Sequence, residues 1–249
     1  MFDAALHYHV NTLSNDRVKV PTNENIEPVL LGVAGKNHPL REEVENFIQA
    51  GFKRAHSAEI HSFLPNLFYL KFGKIKTALG VRSAKETLFL EQYLPSQHNP
   101  STLPNVAAKS ELELALQEKG IVAARHQIVE IGNLHSTSSR FTQQLLLCTV
   151  LTLALCDKTH IAFTGVPNVI RIFDKFGIPL TALCQASETA VKSGPDKWGN
   201  YYKENPQVMV LDIADAVNAI EQTPALKSLR HTLSLQIFAN HQQLKEVLA

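Results

Sequence analysis

The chain has 249 residues, of which 45% are apolar, with 24 Lys and Arg against 23 Asp and Glu. That apolar content excludes a disordered chain, and the near-balance of charge offers no global field to nucleic acid or an anionic membrane. The length suits one large domain, or one domain with an added subdomain.

Residues 1–28 form a polar lead-in punctuated by Pro21 and Pro28. Met1 to Val20 carries Asp3, His7, His9, Asn11, Asn15 and Asp16 and lacks the apolar stretch of a signal peptide. His7 and His9 have no further clustered ligands, so no zinc site is expected. Val29 to Ala34 is a short strand candidate ending near Gly35. Leu40, Val44, Phe47, Ile48, Phe52 and Ala55 then recur at helical spacing, with Arg41, Glu42, Glu43 and Glu45 on the other face. Gly51 falls on the apolar stripe, where a break or a close helix contact is expected.

Leu67 to Phe72 and Ile75 to Val81, separated at Gly73, predict a β-hairpin. Glu91, Gln92 and Tyr93 form a polar insertion after the apolar Leu88-Phe89-Leu90. Pro95 to Pro104 is a loop by chemistry, with three prolines among polar residues. Ser110 and Glu113 have the spacing of a capping box for a helix to Lys119.

Ile128 to Leu134 and His160 to Val166 predict strands, with the nearly all-apolar helix Phe141 to Cys156 between them. Its apolar core, Leu145 to Cys156, falls short of the roughly 20 residues that a bilayer needs. Asn168 to Phe176 reads as a helix capped by Asn168, ended by Gly177 and blocked by Pro179, with a further strand at Thr181 to Cys184. The alternation predicts a mainly parallel arrangement here, joined to the hairpin in a mixed α/β sheet. Trp198, Tyr201 and Tyr202 form the notable aromatic cluster, Val208 to Ile213 is another strand candidate, and residues 214–249 read as a helical extension interrupted at Pro224. The domain division is therefore a lead-in over 1–28, an α/β domain over 29–213 and the extension over 214–249. Three cysteines, Cys148, Cys156 and Cys184, show no metal spacing and suit a reduced, cytoplasmic setting. Release from the cell by another route stays open.

The strings Leu88-Phe89-Leu90-Glu91-Gln92-Tyr93-Leu94, Ile128-Val129-Glu130-Ile131-Gly132-Asn133-Leu134 and Trp198-Gly199-Asn200-Tyr201-Tyr202, with Ser62-Phe63-Leu64-Pro65 before the hairpin, resemble the bacterial thermostable haemolysin family of the delta-VPH type. The resemblance covers roughly residues 40 to 212 and implies an association with red-cell lysis. The order of helices, hairpin, strand, long helix, strand and helix also resembles the GNAT acyltransferase plan. That plan implies two parallel strands that splay to admit an acyl donor, with the donor's pyrophosphate at the start of the long helix.

The matching stretch here is His135-Ser136-Thr137-Ser138-Ser139-Arg140, which supplies hydroxyls and a cation for an anion. It lacks the glycines of the usual Arg/Gln-x-x-Gly-x-Gly/Ala loop. Acyl-CoA, an acyl carrier protein thioester, S-adenosylmethionine and no donor at all stay open.

Glu130, between Val129 and Ile131, reads either as a buried general base or as a solvated strand position. Asn133 and Arg140, with Ser136, Thr137, Ser138, Ser139 and Asn168, are candidates for holding the donor; Asn133 and Arg140 read equally as a strand end and a surface charge. Glu91, Gln92 and Tyr93 either line a cleft or lie on the surface, where an ion pair is worth little. The aromatic cluster stacks on a ligand, anchors at a membrane, or covers a satellite core. No Gly-x-Ser-x-Gly elbow is present to support a serine hydrolase. Two functions follow: a GNAT-like transferase acting on a small molecule, and a cytolysin acting directly on a membrane target. The oligomeric state is left undetermined.

Overall fold

A computed structural model of the chain describes residues 29–95, 109–191 and 196–248. The lead-in over 1–28 and nearly all of the Pro95 to Pro104 loop lie outside those residues. Among the described residues, seven strands form one mixed sheet in the order β1-β2-β3-β4-β5-β7-β6. They are β1 (Leu30–Ala34), β2 (Asn66–Phe72), β3 (Lys74–Ser83), β4 (Ile128–Ser136), β5 (His160–Gly165), β6 (Leu180–Gln185) and β7 (Gln207–Asp212).

The hairpin forms as expected, with β2 and β3 antiparallel and Gly73 taking the positive φ, 66°, that the tight turn needs. The expectation of a mainly parallel second half needs correction. Among the described strands only β4 and β5 pair in parallel. β7 comes back antiparallel and lies between β5 and β6, which it separates. The crossover from β5 to β6 leaves one strand's width open, and β7 fills it.

Helix α1 (Arg41–His56) packs Val44, Ile48, Gly51 and Phe52 onto one sheet face. Gly51 is a close approach rather than a break: a Cβ there would fall inside the His135 ring. Arg41 departs from its expected place on the polar face. It is buried, and its guanidinium donates to the carbonyls of Ala34 (3.1 Å), Leu64 (2.9 Å) and Pro65 (2.8 Å) and to Glu45 (2.6 Å). Those carbonyls lie at the end of β1 and just before β2, and a fork of donors satisfies them together.

Helix α3 (Ser139–Leu155) crosses the opposite face and is buried continuously from Leu145 to Leu153. It lies between the sheet and α5 (Ile213–Gln222), α6 (Pro224–Thr232) and α7 (Ser234–Leu248), which share its apolar core. Being covered on both sides explains why its sequence is apolar all round. Its buried Thr149 hydroxyl returns a bond to the Leu145 carbonyl at 2.8 Å. Among the described residues no helix is long and apolar enough to cross a membrane.

Helix α2 (Glu111–Glu118) has the expected capping box: Ser110 Oγ accepts from Glu113 N at 3.3 Å, and Ser110 N donates to Glu113 Oε2 at 2.9 Å. Helix α4 (Pro167–Lys175) has its cap two residues earlier than expected, at Val166, with Pro167 at the first helical position. Asn168 is therefore not the cap. It is exposed, and its Oδ1 accepts from Arg171 Nη2. Gly177, at φ 65°, follows the helix end as expected.

Candidate active site

β4 and β5 pair from Ile128 opposite His160 to Ile131 opposite Phe163 and no further. β4 stays paired with β3 out to Ser136 opposite Thr77. Past Ile131 the parallel strands part, and the backbone of residues 132–136 keeps a ladder on one side. A bulge marks the same place: the β3–β4 register shifts between Ala78 and Gly80, and Asn133 adopts φ 52°. Asparagine tolerates that left-handed conformation better than most residues.

The Asn133 side chain then clamps the segment before β2, accepting from Leu64 N at 2.9 Å and donating to the Ser62 carbonyl at 3.2 Å. Leu64 fits because its neighbours lack side chains. A Cβ on Gly80 would come within 2.7 Å of Leu64 Cβ, and one on Gly132 within 3.2 Å of Leu64 Cδ1.

A cavity of about 270 Å³ occupies the gap and is lined from both faces of the sheet. On the α1 side it presents Arg82, Glu130, Asn133, His56 and Tyr93 with the rings of Trp198 and Tyr201. On the α3 side it presents Leu146, Val150, Phe173 and Leu211. One end can hold polar groups and the other an apolar chain, the usual chemistry of a small-molecule pocket.

Glu130 is 4% exposed. Its carboxylate accepts from Phe89 N at 3.0 Å and Leu90 N at 2.9 Å, tying β4 to a 3-10 helix, Phe89–Tyr93. Burial is the strongest influence on it and pushes its carboxyl above the usual range, against those two amides and the nearby Arg82 charge. Tyr93 Oη lies 2.7 Å from Tyr202 Oη. Burial raises both phenols, Tyr202 to about 12, so both keep their protons at neutral pH.

Glu91 is absent from the cavity lining. Arg125 grips it through two bonds, 2.6 and 2.8 Å, and Leu88 N donates to it at 2.8 Å. Although burial pushes its carboxyl up most strongly, the Arg125 fork and the Leu88 amide hold it below the usual range. Gln92, its neighbour, donates to the Phe89 carbonyl at 2.9 Å.

Residues Ser136 to Arg140 also stand outside the lining. Ser136 Oγ donates to the Ser138 carbonyl at 2.9 Å. Thr137 N and Oγ1 both donate to the Lys76 carbonyl, and Ser138 Oγ caps α3 at Phe141 N. Ser139 and Arg140 are exposed in the first turn of α3. Of the expected site residues, the cavity thus gathers Glu130, Tyr93 and Asn133 with Trp198 and Tyr201.

The sequence reading missed Arg82, His56 and Asp196. His56 Nδ1 lies 3.0 Å from Glu204 Oε1, and Asp196 Oδ1 accepts from His61 N and Ser62 N. Arg82 had a signal of its own, a cation near the end of an apolar strand, but its meaning depends on standing opposite Glu130 in the register.

Parted parallel strands after an antiparallel hairpin, with a long helix between them, define a GNAT-like α/β fold. Solved structures agree. A CoA-dependent acyl-homoserine lactone synthase, BjaI, with SAM and isopentyl-CoA matches with a TM-score of 0.51 at 11% identity, over 83% of this chain and 90% of that one. The same synthase with MTA matches with a TM-score of 0.51 at 10% identity, over the same shares. At such identities the likeness is one of fold. The chain belongs to the thermostable hemolysin family, whose model matches residues 34–217. No curated protein matches it in sequence.

Proposed function

We propose that the protein is an acyltransferase that moves an acyl group from a thioester donor to an amine in this cavity. The parting of β4 and β5 after Ile131 and Phe163 carries the reading, because it joins a polar chamber and an apolar slot through the sheet. The acyl chain lies against Leu146, Val150 and Phe173, and the thioester carbonyl meets the freed backbone edge of β4. Backbone N–H groups there stabilise the oxyanion that forms when the amine nitrogen attacks the carbonyl carbon.

Glu130 takes the proton released by the amine, since a carboxyl raised by burial is a better base. The carbon–sulfur bond then breaks, and the proton passes to the departing thiolate. Tyr93 and Asn133 position the reacting groups, and Glu91 supports the 3-10 helix from behind. Ser136, Thr137, Ser138, Ser139 and Arg140 at the start of α3, with Asn168 near the start of α4, hold the donor's phosphates at the mouth, where helix N-termini favour anions. Acyl-CoA and acyl carrier protein thioesters are the donor classes to try, with S-adenosylmethionine as the third ligand to test. Red-cell lysis, in this reading, follows from an acylated, surfactant-like product.

The test is direct. Purified protein is incubated with acyl-CoAs of graded length, or the same chains on a carrier protein, together with a pool of small amines. Mass spectrometry should find an N-acyl product and an equal amount of free thiol. No product with any donor overturns the proposal.

A further inference from the structure

Arg82 is the one lysine or arginine that lines the cavity among the described residues. It stands directly opposite Glu130 across β3 and β4, where facing side chains begin about 5 Å apart. Its Nη1 donates to the Thr87 carbonyl at 3.3 Å. Its Nε is buried and has no hydrogen-bond partner among the described residues, and the same holds for the Trp198 indole Nε1.

Both orphan atoms are donors that cannot accept, so they call for an acceptor from a ligand. The carboxylates on the wall are already engaged, Asp196 with two backbone amides and Glu130 with two more, while His56 Nδ1, 3.0 Å from Glu204 Oε1, makes no well-aligned hydrogen bond. A guanidinium with an unpartnered Nε–H and an unpartnered indole N–H on the wall of the same cavity make a seat for an anion, and a guanidinium suits the flat, two-oxygen geometry of a carboxylate.

We infer that the acyl acceptor is a free α-amino acid, its carboxylate held by Arg82 and Trp198 Nε1 and its amine turned to Glu130. The cross-strand pairing of Arg82 with Glu130 favours this source of the anion, because an amino acid carries its amine and carboxylate on one carbon. The donor's phosphate is the other source the seat would accept.

This inference rests on the acyltransferase reading, so its test includes a measurement that needs no turnover. Binding is followed by ligand-observed NMR with matched pairs: phenylalanine and phenethylamine, leucine and isoamylamine. The amino acid of a pair should bind wild type at least tenfold more tightly than its decarboxylated partner. Arg82→Met should erase that preference, and Trp198→Phe should weaken it. In the transfer assay Arg82→Met should raise the amino acid's KM tenfold or more and leave the donor's KM unchanged. Equal binding of the two partners by folded wild type overturns the inference. So does an Arg82→Met variant that raises only the donor's KM, which would assign the anion to the donor. Binding preference without any transfer would leave the seat standing and remove the acyltransferase reading.

Discussion

Ile131 and Phe163 are the last residues that β4 and β5 share. Everything proposed for the cavity depends on the strands parting there, and the apolar side of the gap is the part most easily blocked. Val150, 2% exposed on α3, reaches that side. Val150→Phe should cut transfer of long acyl chains at least tenfold while short chains still react. Overpacking should cost about 1–3 kcal/mol in stability. Rates measured against chain length, with urea unfolding alongside, check both.

Glu130 combines two duties, and its amide variant separates them. A glutamine has one acceptor oxygen in place of two, so either Phe89 N or Leu90 N loses its partner, at about 1–3 kcal/mol. Loss of a base should slow the reaction by about 10²–10⁴. Circular dichroism and turnover of Glu130→Gln measure the two effects. A folded variant with full turnover removes Glu130 from the base role.

Glu91 and Glu130 should respond to pH in opposite senses. The Glu91 carboxyl is held low in the folded chain, so its contribution is present above the ordinary carboxylate value and is lost as pH falls through the depressed one. Glu130 is raised, so its contribution is present below the ordinary value and is lost as pH rises through the raised one. Glu91→Gln should lose about 3 kcal/mol at neutral pH, the low end for a broken buried pair, because Arg125 keeps 22% exposure. That deficit should shrink in urea unfolding at pH 3.

Gly51→Ala should destabilise the protein by about 1–3 kcal/mol, because its Cβ would enter the His135 ring. Thermal unfolding reads the loss directly. An unchanged midpoint would mean that α1 and His135 move apart freely.

Local patterns made much of the fold legible. The hairpin, the capping box at Ser110 and the buried α3 each follow from turn chemistry or periodicity. The place of β7 was not legible, because strand order is decided by which slot a returning chain fills. Nor was the role of Arg41, whose partners are carbonyls from the end of β1 and from the segment just before β2. In the candidate site, the strings holding Glu130, Asn133 and Tyr93 pointed to the right region, since all three line the cavity. Arg82 stayed hidden because its meaning comes from register, and Glu91 drew attention although its charge is spent on Arg125.

Direct and product-mediated lysis differ in what a purified protein does to a vesicle. Added alone to dye-loaded phospholipid vesicles, the protein should cause no leakage, whereas the extracted reaction product should. Leakage by protein alone would restore the direct cytolysin.

The most direct test of acyl transfer through the sheet is photolabelling with an acyl thioester whose chain ends in a diazirine. Crosslinks should fall on α3 and α4, at Leu146, Val150 or Phe173, and should vanish in Val150→Phe. Labels scattered over the surface, or none, would contradict it.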